Sequence, residues 1–436
     1  MHQATDQVRP EASMESRLIP LDGFQLRLVP TSKFKTAYVQ LRFSAPFRRE
    51  TLNLRALLPY VLLSGTRNYP TKRRFQDRLD DLYGTQIGGG VAKQGRMSVI
   101  SFSLSVVMER FLPGGAKVFA DALDLFQEVV FSPRRYRGGF RKGVLKDEVR
   151  MLREDIEADY ADKAEFSFQR MAEHMFRDEL ARYRPKGDEA TLDQVTPEAL
   201  WEAYRDMLQN DHVEMTVVGD FSDDLVVTAI RARFSFPPRA TVPVWVDTET
   251  KAIASPAYVT EYGDVSQARL QIGYRVLVRA GSPDYFSMLV ANALFGDSDT
   301  SMLFRTVRER DHLCYYVYSA YAAAKGAVFV SAGVEPGKAQ EAARLIESIR
   351  RDVAEGGFSE SDLDVAKRAV IKRMRQATDS PRGIVSDYAH FDRLYGRPYD
   401  LAGNIAKIGA VTKEQVMARM DGFILDTVYE LTRGEA

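Results

Sequence analysis

Histidine is the residue that most often binds catalytic zinc, and the chain contains five: His2, His174, His212, His312 and His390,. No two of them lie three to five residues apart. Motifs such as HxxEH place two histidines four residues apart, so that one face of a helix carries both ligands. The sequence therefore predicts no local histidine site for zinc, and a site assembled from distant residues is the alternative.

The single cysteine offers a second kind of chemistry. His312 and Cys314 are two residues apart, so on a strand both side chains would face the same way,. A Cys/His nucleophilic pair is one interpretation. The other is a small buried thiol, and we favour it because no neighbouring group would activate the thiolate.

The elements that would position such groups follow the same order in both halves of the chain. Apolar and polar residues alternate at 39–43 and again at 270–274, which is typical of a strand with one buried face,. A helical stretch follows each strand, at 52–63 in the first half and at 285–295 in the second,. The two halves therefore begin with the same strand and helix.

The order continues with another strand and another amphipathic helix. Apolar residues alternate with serines over 100–106, and the counterpart is 326–332,. Helical spacing of apolar residues then marks 119–130 and 342–353,. A repeat of about 200 residues is too long for a solenoid. It predicts an α+β fold of two homologous domains, each a mainly antiparallel sheet covered by helices.

The domain boundaries follow from composition. Residues 1–19 are predicted to form a mobile polar tail, and residues 20–235 are predicted to form the first domain,. Adjacent prolines at 237 and 238 open a predicted linker over 236–255, because proline interrupts both helices and sheets,. The second domain is predicted over 256–436.

Charge and composition exclude several classes of partner. Lys+Arg and Asp+Glu both count 60, so no net field attracts nucleic acid or anionic lipid,. Basic clusters such as 72–74 are interpreted as solvated helix faces,. No apolar stretch is long enough for a signal peptide or a membrane span,. With a single cysteine, these features predict a soluble cytoplasmic protein,.

Residues 62–66, Leu-Leu-Ser-Gly-Thr, resemble the segment that follows the HxxEH motif in pitrilysin/insulinase peptidases, which include the mitochondrial processing peptidases. Counting back, the motif would fall on 56–60. Ala56 and Tyr60 then stand where the family has histidines, and Pro59 stands where it has the general-base glutamate. The resemblance therefore implies an inactive member with no metal site and no cofactor of its own.

A second segment, 142–148, resembles the stretch that holds the family's third zinc ligand. Glu148 falls at that ligand's position, but Arg141 replaces an acidic residue seven positions earlier. A catalytic zinc normally needs three protein ligands, and one carboxylate cannot hold it. We therefore expect Glu148 to be an ordinary acid on a helix surface.

In the second half, Arg308 and Tyr315 match an arginine and a tyrosine that the family spaces seven apart. The resemblance implies that this pair reaches across to a substrate bound near the zinc of a partner subunit. The alternative is that Arg308 pairs with an acid of its own domain and Tyr315 is packed.

The family also recognises peptides by strand addition at the edge of the first sheet. Here that edge would include Gly88, Gly89 and Gly90. The family usually has Asn-Ala near the first two positions, so glycine offers backbone groups there without side-chain contacts.

Together these resemblances imply half of a hollow clamshell: a non-catalytic subunit that pairs with an HxxEH-bearing, zinc-binding homologue and acts on peptides. Two alternatives stay open. One is a homodimeric peptide-binding or scaffold protein without proteolysis. The other is a peptidase with an unrecognised metal or nucleophile site.

Overall fold

The computed structural model describes residues 15–115, 117–136, 138–239, 243–246, 253–396 and 399–434. These residues form two sheets, one in each half of the chain, and each sheet is covered by helices. Within these ranges, no helix combines the length and the apolar character needed to cross a membrane.

The first half contains a sheet of six strands. The strands of this half are β1 (Arg17–Leu21), β2 (Phe24–Pro30), β3 (Thr36–Pro46), β4 (Gln86–Gln94), β5 (Met97–Val107), β8 (His212–Gly219) and a two-residue hairpin, β6 (Arg135–Tyr136) with β7 (Gly139–Phe140). The helices are α1 (Leu52–Leu63), α2 (Lys72–Asp81), α3 (Val118–Phe131), α4 (Lys142–Ala161), α5 (Lys163–Met175), α6 (Pro197–Asn210) and α7 (Asp223–Arg231). The sheet order is β1-β2-β8-β3-β5-β4.

The second half contains a sheet of five strands. The strands are β9 (Ala257–Tyr262), β10 (Ala268–Arg275), β11 (Cys314–Ala322), β12 (Ala327–Val334) and β13 (Ile424–Thr432). The helices are α8 (Tyr285–Phe295), α9 (Ala339–Ala354), α10 (Glu360–Ala377), α11 (Pro381–Tyr395), α12 (Leu401–Gly409) and α13 (Lys413–Asp421), with a π-helical segment at Phe304–Arg310. The sheet order is β11-β12-β10-β13-β9.

The two sheets repeat one topology, which confirms the predicted duplicated α+β fold. Strands β2-β8-β3-β5-β4 correspond to β9-β13-β10-β12-β11. Each sheet has one parallel pair, β2 with β8 in the first and β9 with β13 in the second, and its other pairs are antiparallel. The alternating segments at 39–43, 270–274 and 100–106 lie in β3, β10 and β5, and the predicted helices at 52–63 and 285–295 are α1 and α8.

One helix from each half packs on the sheet of the other half. Helix α5 packs on β10 and β13, and α11 packs on β8 and β3. Met171 and Met175 of α5 are buried against Phe329 and Tyr429 of the second sheet. A side chain at Gly273 would collide with Met175, so glycine lets α5 approach β10 closely,. The halves are therefore joined through exchanged helices as well as through the connecting chain.

Charged groups line the contact between α11 and the first sheet. Arg27 on β2 pairs with Asp392 at 2.7 Å. Arg393 donates to the carboxylate of Glu214 on β8 and to the side-chain oxygen of Gln94 at 3.1 Å. Both partners of the Glu214–Arg393 pair are largely withdrawn from solvent, so the pair ties α11 to the sheet,.

The predicted N-terminal tail and the predicted linker both include residues outside the described ranges. In the predicted tail, residues 1–14 lie outside them, and Arg17 begins strand β1 because it pairs with Leu28 of β2. In the predicted linker, residues 240–242 and 247–252 lie outside them. Phe236, at the start of that linker, is buried against Phe24 and therefore belongs to the first core.

Candidate functional site

The three HxxEH positions on α1 carry a methyl group, a pyrrolidine ring and a phenol. Ala56 is fully buried, at 0% exposure, and Pro59 is buried within the helix. Proline has no N–H, so the carbonyl of Arg55 lacks its usual donor inside the helix, although α1 continues to Leu63,. Neither Ala56 nor Pro59 has a side-chain atom that can bind a metal.

Tyr60 has an oxygen, but its phenol is held protonated. The hydroxyl donates a hydrogen bond to a carboxylate oxygen of Asp155 on α4. Burial, followed by the effect of this carboxylate, raises the pKa of Tyr60 above its ordinary value,. Metal ligands bind in their deprotonated form, so Tyr60 does not replace the second histidine at neutral pH.

Glu148 is not the surface acid that the sequence suggested. It is only 3% exposed, on the face of α4 that packs against α1. The ammonium of Lys72, at the start of α2, lies 2.8 Å from one carboxylate oxygen and 3.1 Å from the other. The one acid left from the ligand set is therefore neutralised by a lysine, because a buried carboxylate needs a partner.

The same pair corrects the interpretation of the basic cluster at 72–74. Much of the Lys72 side chain is exposed, but its charged end turns inward to Glu148,. No local pattern predicts this contact, since the partners lie 76 positions apart. Asp155, the acceptor for Tyr60, was missed for the same reason.

A loop closes over the α1 residues from outside. The Asn53 amide donates to the carbonyl of Asp188 at 3.0 Å and accepts from its N–H at 2.6 Å. Gly187 has φ +113, and a Cβ there would lie 2.7 Å from the Asn53 oxygen. Only glycine allows this loop to lie so close to Asn53 and Ala56.

The residues present therefore do not fit a catalytic zinc. Across the described ranges, no group of three or more His, Cys, Asp or Glu side chains is placed to bind a metal ion. Ala56, Pro59, Tyr60 and Glu148 lie on two adjacent helices as the resemblance implied, but they offer one carboxylate that already has a cationic partner.

Arg308 lies in the π-helical segment before β11 and is exposed. Its guanidinium carbon lies 4.8 Å from the ring centre of Phe304, a cation–π arrangement that stiffens the side chain,. In the part of the chain that the structure describes, no carboxylate forms an ion pair with Arg308. The alternative of an internal acid partner is therefore not what the structure shows.

Tyr315 projects from an irregularity in β11. The register of β11 against β12 shifts between Cys314 and Tyr316, so Tyr315 is the extra residue of a β-bulge,. Its side chain is 56% exposed, and the alternative that it is packed is wrong. β11 is an edge strand of the second sheet, and Arg308 lies in the segment that leads into this strand.

The neighbouring cysteine is a packing residue, as the sequence favoured. Cys314 is buried in the second core, and burial raises the pKa of its thiol to about 11,. His312 is exposed in a turn with φ 53. The thiol is protonated at neutral pH, so Cys314 and His312 do not form an activated nucleophilic pair.

The glycines predicted at the peptide-binding edge lie in β4, the last strand of the first sheet. Within the described ranges, β4 pairs with β5 and its other edge has no strand beside it. A side chain at Gly89 would lie 2.9 Å from the ring of Phe102, whereas Gly90 faces open space. Gly89 is therefore required by packing, and the free backbone edge of β4 is the feature available to a peptide.

Comparison with known proteins gives a consistent family. The model of a family described as "Peptidase M16 inactive domain" matches residues 194–370. The chain is 31% identical to "Probable inactive metalloprotease YmfF" of Bacillus subtilis strain 168 over 409 residues, covering 94% of this chain and 96% of that protein. It is 22% identical to "Uncharacterized zinc protease YmxG" of the same organism, covering 68% and 70%.

Two solved structures share the fold. A conserved protein from Enterococcus faecalis V583 has a TM-score of 0.89 at 24% identity, covering 96% of this chain and 99% of that one. A peptidase M16 inactive domain from Pseudomonas fluorescens has a TM-score of 0.78 at 18% identity, covering 97% and 99%. At these identities the likeness concerns the fold.

Proposed function

This chain belongs to the M16 peptidase family as an inactive member, and we propose that it is the non-catalytic subunit of a two-subunit peptidase. In this proposal a homologous partner with an intact HxxEH motif binds zinc and cleaves peptides. The present chain adds substrate-binding residues, Arg308 and Tyr315, to the partner's site.

The observation that carries the proposal is a contrast between the two halves. At the position of the lost zinc site, Glu148 is paired with Lys72 and Ala56 is sealed beneath a loop. At the rim of the second sheet, Arg308 and Tyr315 are exposed and uncommitted to packing. An inert first half with an accessible polar pair in the second half supports a role in another subunit's reaction.

The chemistry of the pair suits peptide recognition. The guanidinium of Arg308 presents two parallel N–H donors that suit a substrate carbonyl or a C-terminal carboxylate. The hydroxyl of Tyr315 would donate to the peptide carbonyl oxygen as negative charge develops on it. Both groups bind and orient, and neither transfers a proton to the substrate.

The open edge of β4 supports a second contribution, the capture of peptide backbone. An extended peptide that pairs with Gln86–Gln94 would bind through main-chain groups, with little dependence on its sequence,. This suits a chamber in which one subunit holds a chain while the other cleaves it.

The test is co-expression with a homologous HxxEH-bearing subunit and a fluorogenic peptide assay. Arg308→Ala should lower kcat/KM of the complex by about tenfold to a hundredfold, since a hydrogen bond to a charged group is lost. Tyr315→Phe should lower kcat by roughly a hundredfold, as expected when one donor to a developing oxyanion is removed. The zinc content of the complex should not change.

Two neighbouring residues provide matched controls. Arg310 is exposed on the same segment and pairs with Asp311 at 2.7 Å, and Tyr318 is 50% exposed on the same strand. Arg310→Ala and Tyr318→Phe should leave kcat/KM near the wild-type value. An unchanged rate in both Arg308→Ala and Tyr315→Phe would rule out the proposed role.

The homodimeric scaffold is the second candidate function. The exposed residues at β11 support it as well as they support the two-subunit peptidase, and it would apply if no active partner binds. It predicts self-association and no proteolysis with any HxxEH-bearing homologue. A peptidase with its own metal site is less well supported, since the described residues form no metal-binding group.

A further inference from the structure

Two elements cover the first sheet and have no counterpart among the described residues of the second half. In the first half, β1 pairs with β2, and α7 packs on α3 at the same end of the sheet. Within the described ranges, β9 has no strand on its outer edge, and no helix follows β13 over the sheet. Strand β9 is thus an open edge where the equivalent strand β2 is covered.

The registers identify equivalent residues directly. Leu41 pairs with Met215, which pairs with Leu26, in the first sheet. In the second sheet Ile272 pairs with Val428, which pairs with Tyr258. Tyr258 therefore occupies the place of Leu26. Leu26 is 0% exposed, whereas Tyr258 is 71% exposed.

The same comparison extends one step along the strands. Thr260 takes the place of buried Leu28, and Glu430 takes the place of buried Val217. Within the described ranges, the second sheet thus presents a partly apolar surface that no other element covers, with a carboxylate at one position.

A groove occupies the place that α7 takes in the first half. It lies between α9 and the sheet and has a volume of about 850 Å³. Ala343 and Arg344 line one wall, and Tyr258, Val428 and Glu430 line the other. In the first half, α7 packs on α3, the counterpart of α9, and its Val226 and Ile230 are fully buried in the first core.

We propose that this groove binds a short amphipathic helix of a partner protein, with apolar residues four positions apart and a basic residue that meets Glu430. The fold itself supplies the precedent, because α7 shows which kind of element covers this face of the sheet. The apolar ridge would bury Val428 and the ring of Tyr258. This surface lies at the edge of the second sheet opposite β11, so it is separate from Arg308 and Tyr315.

Glu430 explains why the partner should carry a basic residue. Burial raises the pKa of its carboxyl, and covering the groove would withdraw it further from water,. A lysine or arginine on the docked helix would compensate the buried charge, as a carboxylate in such a place requires.

The experiment uses the full chain and a fluorescein-labelled peptide with the sequence of residues 222–233, which contains α7. Anisotropy should show saturable binding to the wild-type protein. A peptide with Val226→Asp and Ile230→Asp should bind about tenfold more weakly or worse, because its apolar ridge is lost. Ala343→Trp, which fills the groove, should weaken binding of the parent peptide similarly. Ala158→Trp, on the exposed face of α4, is the matched control and should bind normally.

The role of Glu430 is tested with two further peptides, Val227→Lys and Ala229→Lys, which place a base on either flank of the ridge. At least one should bind the wild type more tightly than the parent and lose that gain against Glu430→Val. Melting temperatures of the Ala343→Trp, Ala158→Trp and Glu430→Val proteins confirm folding. Absent binding, or equal binding to Ala343→Trp, overturns the proposal. Self-association that Ala343→Trp abolishes would assign the groove to a second copy and overturn it too.

Discussion

At the residue scale, Lys72 pairs with Glu148, the one acid that remains at the position of the zinc site. The replacement of two histidine ligands by Ala56 and Tyr60, and of the general base by Pro59, was visible in the sequence, because the types of side chain are sufficient to exclude zinc catalysis. The lysine that neutralises Glu148 was not visible, because the contact joins two helices far apart in sequence. The sequence predicted that Glu148 lies on the surface, whereas the structure buries its carboxylate and pairs it with Lys72.

The pair predicts a specific loss of stability. Lys72→Met leaves a buried carboxylate without its cation, and we expect it to lower the free energy of unfolding by about 1–3 kcal/mol. The double variant Lys72→Met/Glu148→Gln should recover part of that loss. Urea unfolding measures both, with Lys146→Met on the exposed side of α4 as the control. Equal stability of Lys72→Met and Lys146→Met would contradict the assignment.

The same lysine should also resist reconstruction of a metal site. Ala56→His/Pro59→Glu/Tyr60→His restores the motif, yet Glu148 still pairs with Lys72. We expect tight zinc binding only when Lys72→Ala is added, since a metal and an ammonium compete for one carboxylate. Calorimetric titration with zinc compares the triple and quadruple variants, and identical affinities would show that Lys72 has no such effect.

At the scale of elements, the positions of the strands were predicted correctly, but burial of a single face and the exchanged helices were not. The alternation at 39–43 and 270–274 located β3 and β10,. Both faces of β10 are nevertheless buried over 270–274, because α5 covers the face that carries Gln271, whose amide donates to Ser167. Which sheet α5 or α11 covers depends on the path of the chain, and periodicity carries no information on it.

The contact between α11 and the first sheet predicts an acid-sensitive fold. Burial alone would raise the pKa of Glu214, but the guanidinium of Arg393 and further hydrogen bonds hold that pKa far below its usual range,. A depressed carboxyl pKa stabilises the folded state above the unfolded value near 4.3 and loses that contribution as pH falls below it.

Glu214→Gln removes the titrating group and tests this directly. The variant should be less stable at pH 7, by about 3 kcal/mol as for other broken buried pairs. It should lose less further stability than the wild type between pH 5 and pH 3. Urea midpoints across that range provide the measurement. A parallel decline of both proteins would remove Glu214 as the source of acid sensitivity.

At the scale of the whole molecule, exchange of α5 and α11 makes the halves depend on one another. Met171, Met175 and Phe176 are buried in a cluster with Phe329 and Tyr429 of the second sheet, so a first half expressed alone would expose them,. We therefore expect one cooperative calorimetric transition for the full chain, with equal calorimetric and van't Hoff enthalpies. Residues 15–239, which keep β1 and Phe236, should aggregate when expressed alone. Two separated transitions, or a soluble folded fragment, would contradict this dependence.

We propose that this M16 chain binds no catalytic zinc and depends on a partner for peptide hydrolysis. Metal analysis of the purified, isolated chain, paired with a peptide-cleavage assay of the same sample, is the decisive measurement. We predict neither stoichiometric zinc nor cleavage, because Ala56, Pro59 and Tyr60 supply no ligand and Glu148 is bound to Lys72. One zinc ion per chain, with hydrolysis that a chelator abolishes, would contradict the account.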